Sequence, residues 1–208
     1  MNLHFELQKS NSSSLAECIQ VYDGVFASNW CEDLISYFET SIHYRTDDHR
    51  KQSDQLQLIG DPRPDAIDYK NELFEKLYPL GSKFELDLHS QCHNDYKPYD
   101  RPLTDIYSTG FRSLQIQKYS PTASGYPAVH IESGPEHYKK YLAVIVYLND
   151  VEEGQTVFPM AGTAISPSVG SVAIWPTGLP FYHCGLQSKT TKYILTSWFE
   201  FLLFVPEH

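Results

Sequence analysis

The second half of the chain consists of short runs rich in β-branched and aromatic residues, separated by turns that contain Gly, Pro, Asn and Ser. Eight such runs follow one another within about ninety residues: LQIQKY, PAVHIE, KYLAVIVYL, QTVFP, GTAIS, GSVAIWP, PFYHC and KYILTSWFEFLLF. Many short strands at this spacing are typical of an antiparallel sandwich or barrel. The pattern therefore predicts a β-rich core over about residues 112–204.

Two helical patterns precede this core, within about residues 15–90. In the first, Ser28 or Asn29 can cap the N-terminus, and the acids Glu32 and Asp33 are expected in the first turn. Its apolar residues form one stripe at helical spacing: Cys31, Leu34, Ile35 and Phe38. The second helix is expected to follow Pro64 and to end at Gly81. Packed on one sheet of the core, both helices would give a single α+β domain over residues 1–208.

The residues between about Cys92 and Gly110 separate the helical patterns from the core. They are polar and rich in Asp, Tyr and Pro, without apolar periodicity. They predict a long loop, which is a candidate lid over a site.

Composition restricts the partners of the chain. The formal net charge of −10, from 26 acidic and 16 basic residues, would repel a phosphate backbone and argues against nucleic-acid binding. The four cysteines form no CxxC pair, so we expect reduced thiols. The N-terminal sequence has neither a basic nor an apolar signal region, and the longest apolar run, Tyr141 to Leu148, is too short to cross a membrane. We therefore expect a cytoplasmic protein without a membrane partner; the oligomeric state stays open.

Three residues of the predicted core can form a metal site. His130 and Glu132 are two apart in a strand-like run, so both side chains point to the same face. His183 follows 53 residues after His130, at the end of another predicted strand. Two imidazoles and one carboxylate on one face of a metal leave open positions, an arrangement typical of non-haem Fe(II) oxygenases.

The His-x-Glu pair alone carries little information. With nine histidines and 26 acidic residues, chance predicts about one His-x-Asp/Glu pair, and the sequence has three. The pair that begins at His4 lies close to a terminus, and the pair that begins at His93 lies in the polar stretch predicted as a loop. Local context favours His130, because a long apolar strand and a turn follow it.

A second signal begins nine residues after His183, in the run KYILTSWFEF. Strand alternation puts four of its residues on one face: Lys192, Ile194, Thr196 and Trp198. A lysine and a threonine on an inward face are unusual for a core, but they suit a pocket for a dicarboxylate. The alternative is that Lys192 extends its ammonium from a strand end into solvent.

The segment from Leu114 to Phe201 closely resembles the prolyl 4-hydroxylase-like branch of the Fe(II)- and 2-oxoglutarate-dependent dioxygenases. The matching stretches, in order, are KYSPTASGYPAVHIE, YLAVIVYLNDVEEGQTVFP, SPSVGSVAIWP and HCGLQSKTTKYILTSWFEF. VYDGVFASNWCEDLISYFE also resembles the strand and helix that open this family's catalytic domain. The resemblance implies a double-stranded β-helix (jelly roll, cupin-like) with N-terminal helices packed on one sheet. It also implies hydroxylation of a prolyl residue in a protein or peptide.

The same resemblance assigns the cofactor sites. It makes His130, Glu132 and His183 the iron ligands. It makes Lys192 the base that binds 2-oxoglutarate, with Thr196 as a supporting hydroxyl. The cofactors it implies are Fe(II), 2-oxoglutarate and O2, with ascorbate as a candidate reductant.

Four further positions match the family near the site. Tyr119 and Tyr147 match tyrosines expected beside 2-oxoglutarate, although core packing explains each of them as well. Trp198 matches an aromatic residue close to iron and substrate. The TxFP turn is expected to be structural, with Thr156 able to reach the pocket.

The main departure from the family is Glu132, where an aspartate is usual. The additional methylene extends the carboxylate by roughly 1.5 Å, about one carbon–carbon bond. The metal or the strand must adjust to this length if the site is to bind iron. A relative that has lost its metal is therefore one alternative.

Four other functions are compatible with parts of the pattern. An oxygenase of the same fold could act on a free amino acid or another small molecule. A demethylase of nucleic acids shares the ligand pattern, but the acidic charge disfavours it. A catalytically silent binding module would keep the barrel without turnover. A zinc hydrolase could use the same three ligands, but it would leave Lys192 and Thr196 without a role.

Overall fold

The structure, a computed structural model, describes residues 15–47, 50–90, 101–121 and 125–202. A short 3₁₀ helix (Leu15–Cys18) is followed by three α-helices: α1 (Ser28–Thr40), α2 (Pro64–Ser90) and α3 (Leu103–Ile106). Five strands belong to the first part of the chain or to its junction with the core: β1 (Gln20–Tyr22), β2 (Tyr44–Asp47), β3 (Gln52–Gln57), β4 (Thr109–Gly110) and β5 (Leu114–Tyr119). Seven more follow: β6 (Tyr126–His130), β7 (Lys140–Tyr147), β8 (Thr156–Phe158), β9 (Thr163–Ile165), β10 (Val172–Pro176), β11 (His183–Gly185) and β12 (Lys192–Phe201).

The strands form two antiparallel sheets. The larger has the order β1-β10-β7-β12-β5-β3-β2, with β4 also paired to β12, and the smaller has the order β6-β11-β8-β9. Each of the eight runs predicted from the sequence overlaps one of the strands β5 to β12. Few helices and two antiparallel sheets with this order are consistent with the predicted double-stranded β-helix.

Two buried clusters lie on opposite faces of the larger sheet. One contains residues of α1 and α2, such as Leu34 and Leu77, together with Leu195 and Phe199 of β12. The other contains residues of both sheets, and Trp198 packs against it. Successive residues of β12 point to opposite faces, so one strand contributes to both clusters.

The starts and ends of the helices differ from the prediction. Helix α1 begins at Ser28 itself, Ala27 takes the N-cap position without a side-chain hydrogen bond, and no acid lies in the first turn. The predicted cap at Ser28 or Asn29 and the predicted acidic first turn are therefore wrong. Helix α2 continues through Gly81 to Ser90. Gly81 is buried against the Phe199 ring, so it allows a close helix–strand contact instead of ending the helix.

The first part of the chain also contains strands beside its helices. Strands β1, β2 and β3 extend the larger sheet, and β3 pairs with β5. In the predicted loop from Cys92 to Gly110, α3 and β4 form within residues 101–110. Residues 91–100 lie outside the described part of the chain. The two other His-x-Asp/Glu pairs, which begin at His4 and His93, also lie outside it. No helix of the described residues is long and apolar enough to span a lipid bilayer.

Gly81→Ala is expected to lower the free energy of unfolding by about 1–3 kcal/mol, because a new methyl group would overlap a buried ring. A Cβ at Gly81 would lie 2.8 and 2.9 Å from two carbons of the Phe199 ring and closer still to Cζ. The higher helix propensity of alanine, about 1 kcal/mol, offsets part of this cost. Urea unfolding measures the change. Gly134→Ala is the control, since nothing lies within 4 Å of a Cβ there; equal stability of both variants would contradict the prediction.

Candidate metal centre and adjoining pocket

Three side chains converge where the small sheet meets the loop after β6. The β6–β11 register places His183 directly opposite His130. The backbone N–H of Glu132 donates to Thr177 O at 3.1 Å, which fixes the chain just beyond β6. Glu132 Oε1 lies 3.4 Å from His130 Nε2 and 3.3 Å from His183 Nε2. One potential ligand atom from each residue lies within 4.8 Å of the other two.

Both imidazoles are held through the nitrogen that faces away from this centre. His130 Nδ1 lies 2.8 Å from Ala128 O, and His183 Nδ1 lies 3.1 Å from Phe181 O. A carbonyl can only accept, so each Nδ1 donates its proton to that carbonyl and each Nε2 faces the centre. Such tethering is usual for metal-binding histidines.

The Glu132 carboxyl is ionised in this environment. Burial alone would raise its pKa, but hydrogen bonds and charge from His130 and His183 hold the pKa well below its usual value. Two oriented imidazole nitrogens and one carboxylate oxygen fit a divalent first-row metal such as Fe(II). The Glu132 side chain, one methylene longer than the usual aspartate, lies close to both imidazoles.

The three residues line a cavity of about 310 Å³. Strand β12 contributes the face that alternation predicts: Lys192, Ile194, Thr196 and Trp198. Tyr119 and Thr156 also line the cavity. The structure thus brings the predicted metal-site residues and the predicted anion-binding residues into one pocket.

Lys192 is buried in this pocket, with 4% of its surface exposed. Its Nζ donates to Gly154 O at 2.6 Å, and no carboxylate of the described residues lies within 4.0 Å. Burial lowers the pKa of the Lys192 ammonium to about 8. The alternative of a solvent-exposed lysine is therefore wrong, and the pocket offers a buried cation in need of an anionic partner.

Polar side chains on β5 orient the remaining groups. Gln117 Nε2 donates to Thr196 Oγ1 at 2.8 Å, and Tyr119 Oη donates to Gln117 Oε1 at 2.6 Å. Tyr147 is fully buried and hydrogen-bonds Thr156 Oγ1 at 2.9 Å, with Lys192 Nζ 5.9 Å from the centre of its ring. Tyr119 therefore lies in the pocket wall, whereas Tyr147 supports the wall from behind Thr156.

Sequence reasoning missed several lining residues. Gln115 and Gln117 lie on the same face of β5 as Tyr119, and Tyr126 stacks on the His130 ring at 4.0 Å between centres. The alternation of polar and apolar residues in LQIQKY could have indicated the two glutamines. Lys140 also lines the cavity, and nothing in its local sequence indicates this.

Comparison with known families supports the resemblance found in the sequence. Residues 114–200 match the family model described as the 2OG-Fe(II) oxygenase superfamily. This match covers β5 to β12 almost completely and includes the three candidate metal ligands and Lys192. The family implies Fe(II), 2-oxoglutarate and O2 as cofactors. No curated protein matches the sequence.

Solved structures show the same fold. A viral collagen prolyl hydroxylase from Paramecium bursaria Chlorella virus-1, in complex with 2-oxoglutarate, is 20% identical with a TM-score of 0.61, covering 89% of this chain and 97% of its own. A Pseudomonas putida prolyl-4-hydroxylase is 14% identical with a TM-score of 0.63, covering 89% and 94%. A Trichoplax adhaerens prolyl hydroxylase, bound to a hypoxia inducible factor peptide fragment, is 14% identical with a TM-score of 0.60, covering 88% and 84%.

Proposed function

From the 2OG-Fe(II) oxygenase core that residues 114–200 match, we propose that this protein is an Fe(II)- and 2-oxoglutarate-dependent dioxygenase that hydroxylates prolyl residues of a protein or peptide. One observation carries the proposal. A buried lysine that has no carboxylate partner among the described residues shares a cavity with a His-Glu-His cluster. A dicarboxylate that chelates a metal at one end and pairs with a cation at the other explains both features.

In this proposal His130, Glu132 and His183 hold Fe(II). When bound, the metal supplies the oxygen activation that couples decarboxylation of 2-oxoglutarate to hydroxylation of a C–H bond. Backbone carbonyls hold Nδ1–H of both histidines, so each Nε2 would be free to coordinate the metal. Glu132 contributes one negative charge, which partly neutralises the cation. Phe158 and Trp175 pack on the His183 ring and exclude water from that side.

The other end of 2-oxoglutarate is assigned to Lys192, with Thr196 as a second hydrogen-bond donor. Lys192 Nζ can turn from Gly154 O to a carboxylate, so that both the donor and the acceptor carry a charge. Gln117 donates to Thr196 Oγ1, so the threonine hydroxyl hydrogen is free to point into the pocket. Tyr119 adds a neutral hydroxyl at the wall, because burial raises its pKa far above the usual value.

Trp198 marks the part of the pocket assigned to the substrate. It lies on the same face of β12 as Lys192 and Thr196, and Lys140 Nζ lies 3.4 Å from the centre of its ring. Relatives of the same fold that act on prolyl residues support a peptide substrate. A small-molecule substrate in the same pocket is the second candidate, since the cavity of about 310 Å³ also suits a free amino acid.

The first experiment separates these substrates. Protein purified without oxygen would be loaded with Fe(II) and assayed for succinate, with ascorbate as the candidate reductant. Proline-containing peptides and free proline would be added in parallel. The proposal predicts slow succinate formation from 2-oxoglutarate alone and stimulation by peptides. Stimulation by free proline only would favour the small-molecule candidate, and binding without any turnover would favour a silent binding module.

The affinity for 2-oxoglutarate is expected to fall about tenfold between pH 7 and pH 9. The pKa of Lys192, lowered to about 8 by burial, lies within this interval. Only the ammonium form pairs with a carboxylate, so affinity is full below the pKa and decreases as the pH rises through it. Anaerobic titration of the Fe(II)-loaded protein with 2-oxoglutarate measures the dissociation constant at each pH.

Lys192→Arg is the control for this pH dependence, because a guanidinium stays charged over the whole interval. Its affinity can be lower than that of the wild type, but its pH profile should be flat. Equally steep profiles in both proteins would show that a group other than Lys192 titrates.

A further inference from the structure

A second cavity of about 260 Å³ lies beside the first. His137 and Lys140 line both cavities, so they form a shared wall. The charged residues around the second cavity come from β7, from the loop before it, from the C-terminal end of β12 and from the segment before β5: Arg112, Glu136, His137, Lys139, Lys140 and Glu200. The two cavities are therefore direct neighbours.

The second cavity carries more positive than negative charge. Three permanent cations and a histidine face two glutamates. Glu200 is already engaged, since its Oε2 lies 3.9 Å from Arg112 Nε. A net positive compartment is unexpected on a chain with a formal net charge of −10. Because ions screen distant charges beyond about 8 Å in physiological salt, the local cations determine which groups bind here.

Lys140 belongs to the shared wall, where the charges of Glu132 and Glu200 act on it without a close ion pair. It is half-buried between the two cavities, and no carboxylate of the described residues lies within 4.0 Å of its ammonium. The Trp198 ring compensates part of the lost hydration through a cation–π contact at 3.4 Å. Glu132 is assigned to the metal and Glu200 lies 3.9 Å from Arg112, so Lys140 can bind a further carboxylate.

Two adjoining cavities suit an extended peptide. A strand rises about 3.3 Å per residue, so residues one or two positions from a target lie about 3–7 Å away. His137 and Lys140 line both cavities, so the two cavities adjoin each other. A residue that occupies the first cavity would therefore place a near neighbour at the second.

We propose that the substrate carries an aspartate or glutamate within two residues of the hydroxylated position, and that the second cavity binds this carboxylate. Arg112 and Lys139 contact it from the rim, and Lys140 contacts it from the shared wall. This inference rests on the proposed function, because it assumes that a peptide residue enters the first cavity. It makes the local charge of the peptide a determinant of specificity.

Matched peptides test the inference. Each pair contains one proline and differs only by Asp or Asn at one position, from two residues before the proline to two residues after it. Hydroxylated product is measured by mass spectrometry and succinate by a coupled assay. At one or two positions the acidic peptide is expected to have a kcat/KM at least about tenfold higher than its amide, equivalent to about 1.4 kcal/mol. The difference should lie in KM, because the carboxylate binds away from the reacting carbon.

A charge exchange distinguishes direct recognition from general stabilisation. Lys139→Glu should remove the preference for Asp and instead favour a peptide with Lys at the same position. A purely structural role for Lys139 would not reverse the preference. Arg112→Glu should act in the same direction. Lys118→Gln is the matched control, since Lys118 pairs with Glu39 at 2.9 Å and lines neither cavity.

The outcomes separate this inference from the proposed function. Absence of succinate from 2-oxoglutarate, with or without peptide, would overturn the proposed function and the inference with it. Succinate formation without any preference of Asp over Asn would overturn the inference alone. A free acidic amino acid that is turned over better than every peptide would also overturn it, because the carboxylate would then belong to a small molecule.

Discussion

Lys192→Ala is expected to weaken 2-oxoglutarate binding at least about a hundredfold. Lys192 is 4% exposed, so its pairing with a carboxylate would be shielded from water. Removal of one partner of a buried ion pair costs about 3–5 kcal/mol, and each 1.4 kcal/mol corresponds to about tenfold in affinity. The measurement is the 2-oxoglutarate concentration that gives half-maximal succinate formation.

The matched variants for this prediction are Lys192→Arg and Lys118→Gln. The arginine keeps the charge and should recover part of the affinity. Lys118, on the same sheet but outside the cavity, should be replaceable without effect. A loss of less than threefold in Lys192→Ala would show that another residue anchors the distal carboxylate.

His183→Ala is expected to lower the Fe(II) affinity by at least about a hundredfold and to abolish succinate formation. Residues that only support metal ligands already change affinity by about 10–100-fold, so loss of a ligand should have a larger effect. Two donors cannot hold the metal with the three-point geometry that leaves adjacent positions open. Anaerobic equilibrium dialysis with Fe(II) measures the affinity directly.

Two variants control for general damage at this site. His43→Ala removes an exposed histidine that stacks on Phe38, away from the cavity, and should bind iron like the wild type. Glu132→Asp keeps the charge but withdraws the carboxylate by roughly 1.5 Å, so it tests whether this backbone requires the longer side chain. Unchanged iron binding in His183→Ala, with the fold intact, would exclude the proposed ligand set.

Strand β12 shows what the sequence predicts well. Its alternation assigns Lys192 and Thr196 to one face and Leu195 and Phe199 to the other, and the structure has the same assignment. The period of two is a direct consequence of strand geometry, and a strand of ten residues displays it several times. The metal cluster follows only in part. Residues two apart share a face, but His183 begins β11 rather than ending a strand as predicted, and the antiparallel register places it opposite His130 at the end of β6.

Strand β3 shows what alternation cannot find. Its sequence, QSDQLQ, has a single apolar residue, yet Ser53 and Gln55 are buried because Gln55 hydrogen-bonds Thr46 and Ser53. Polar side chains that are buried by pairing with each other leave no hydrophobic pattern in the sequence. The prediction that the helix ends at Gly81 failed for a different reason. A single sequence does not distinguish a glycine that ends a helix from a glycine that lets an aromatic ring pack closely. Only the tertiary contact with Phe199 distinguishes them.

The position of Lys140 in the wall shared by the two cavities also depends on tertiary structure. Lys140 begins β7, where a lysine at a strand end is commonly solvated. Its position between two cavities depends on Trp198, 58 residues later, and on the loop that carries His137. Contacts at such separations are set by sheet register, which the sequence alone did not specify.

In the proposed function, one cavity holds a metal at the His-Glu-His cluster and 2-oxoglutarate between that metal and Lys192. The most direct test is succinate formation from 2-oxoglutarate by the wild type, His183→Ala and Lys192→Ala, each loaded anaerobically with Fe(II) and then exposed to oxygen. The expected result is succinate from the wild type, none from His183→Ala, and recovery of Lys192→Ala only at a 2-oxoglutarate concentration about a hundredfold higher. Equal succinate formation by all three proteins, or none by a folded wild type that binds neither ligand, would contradict it.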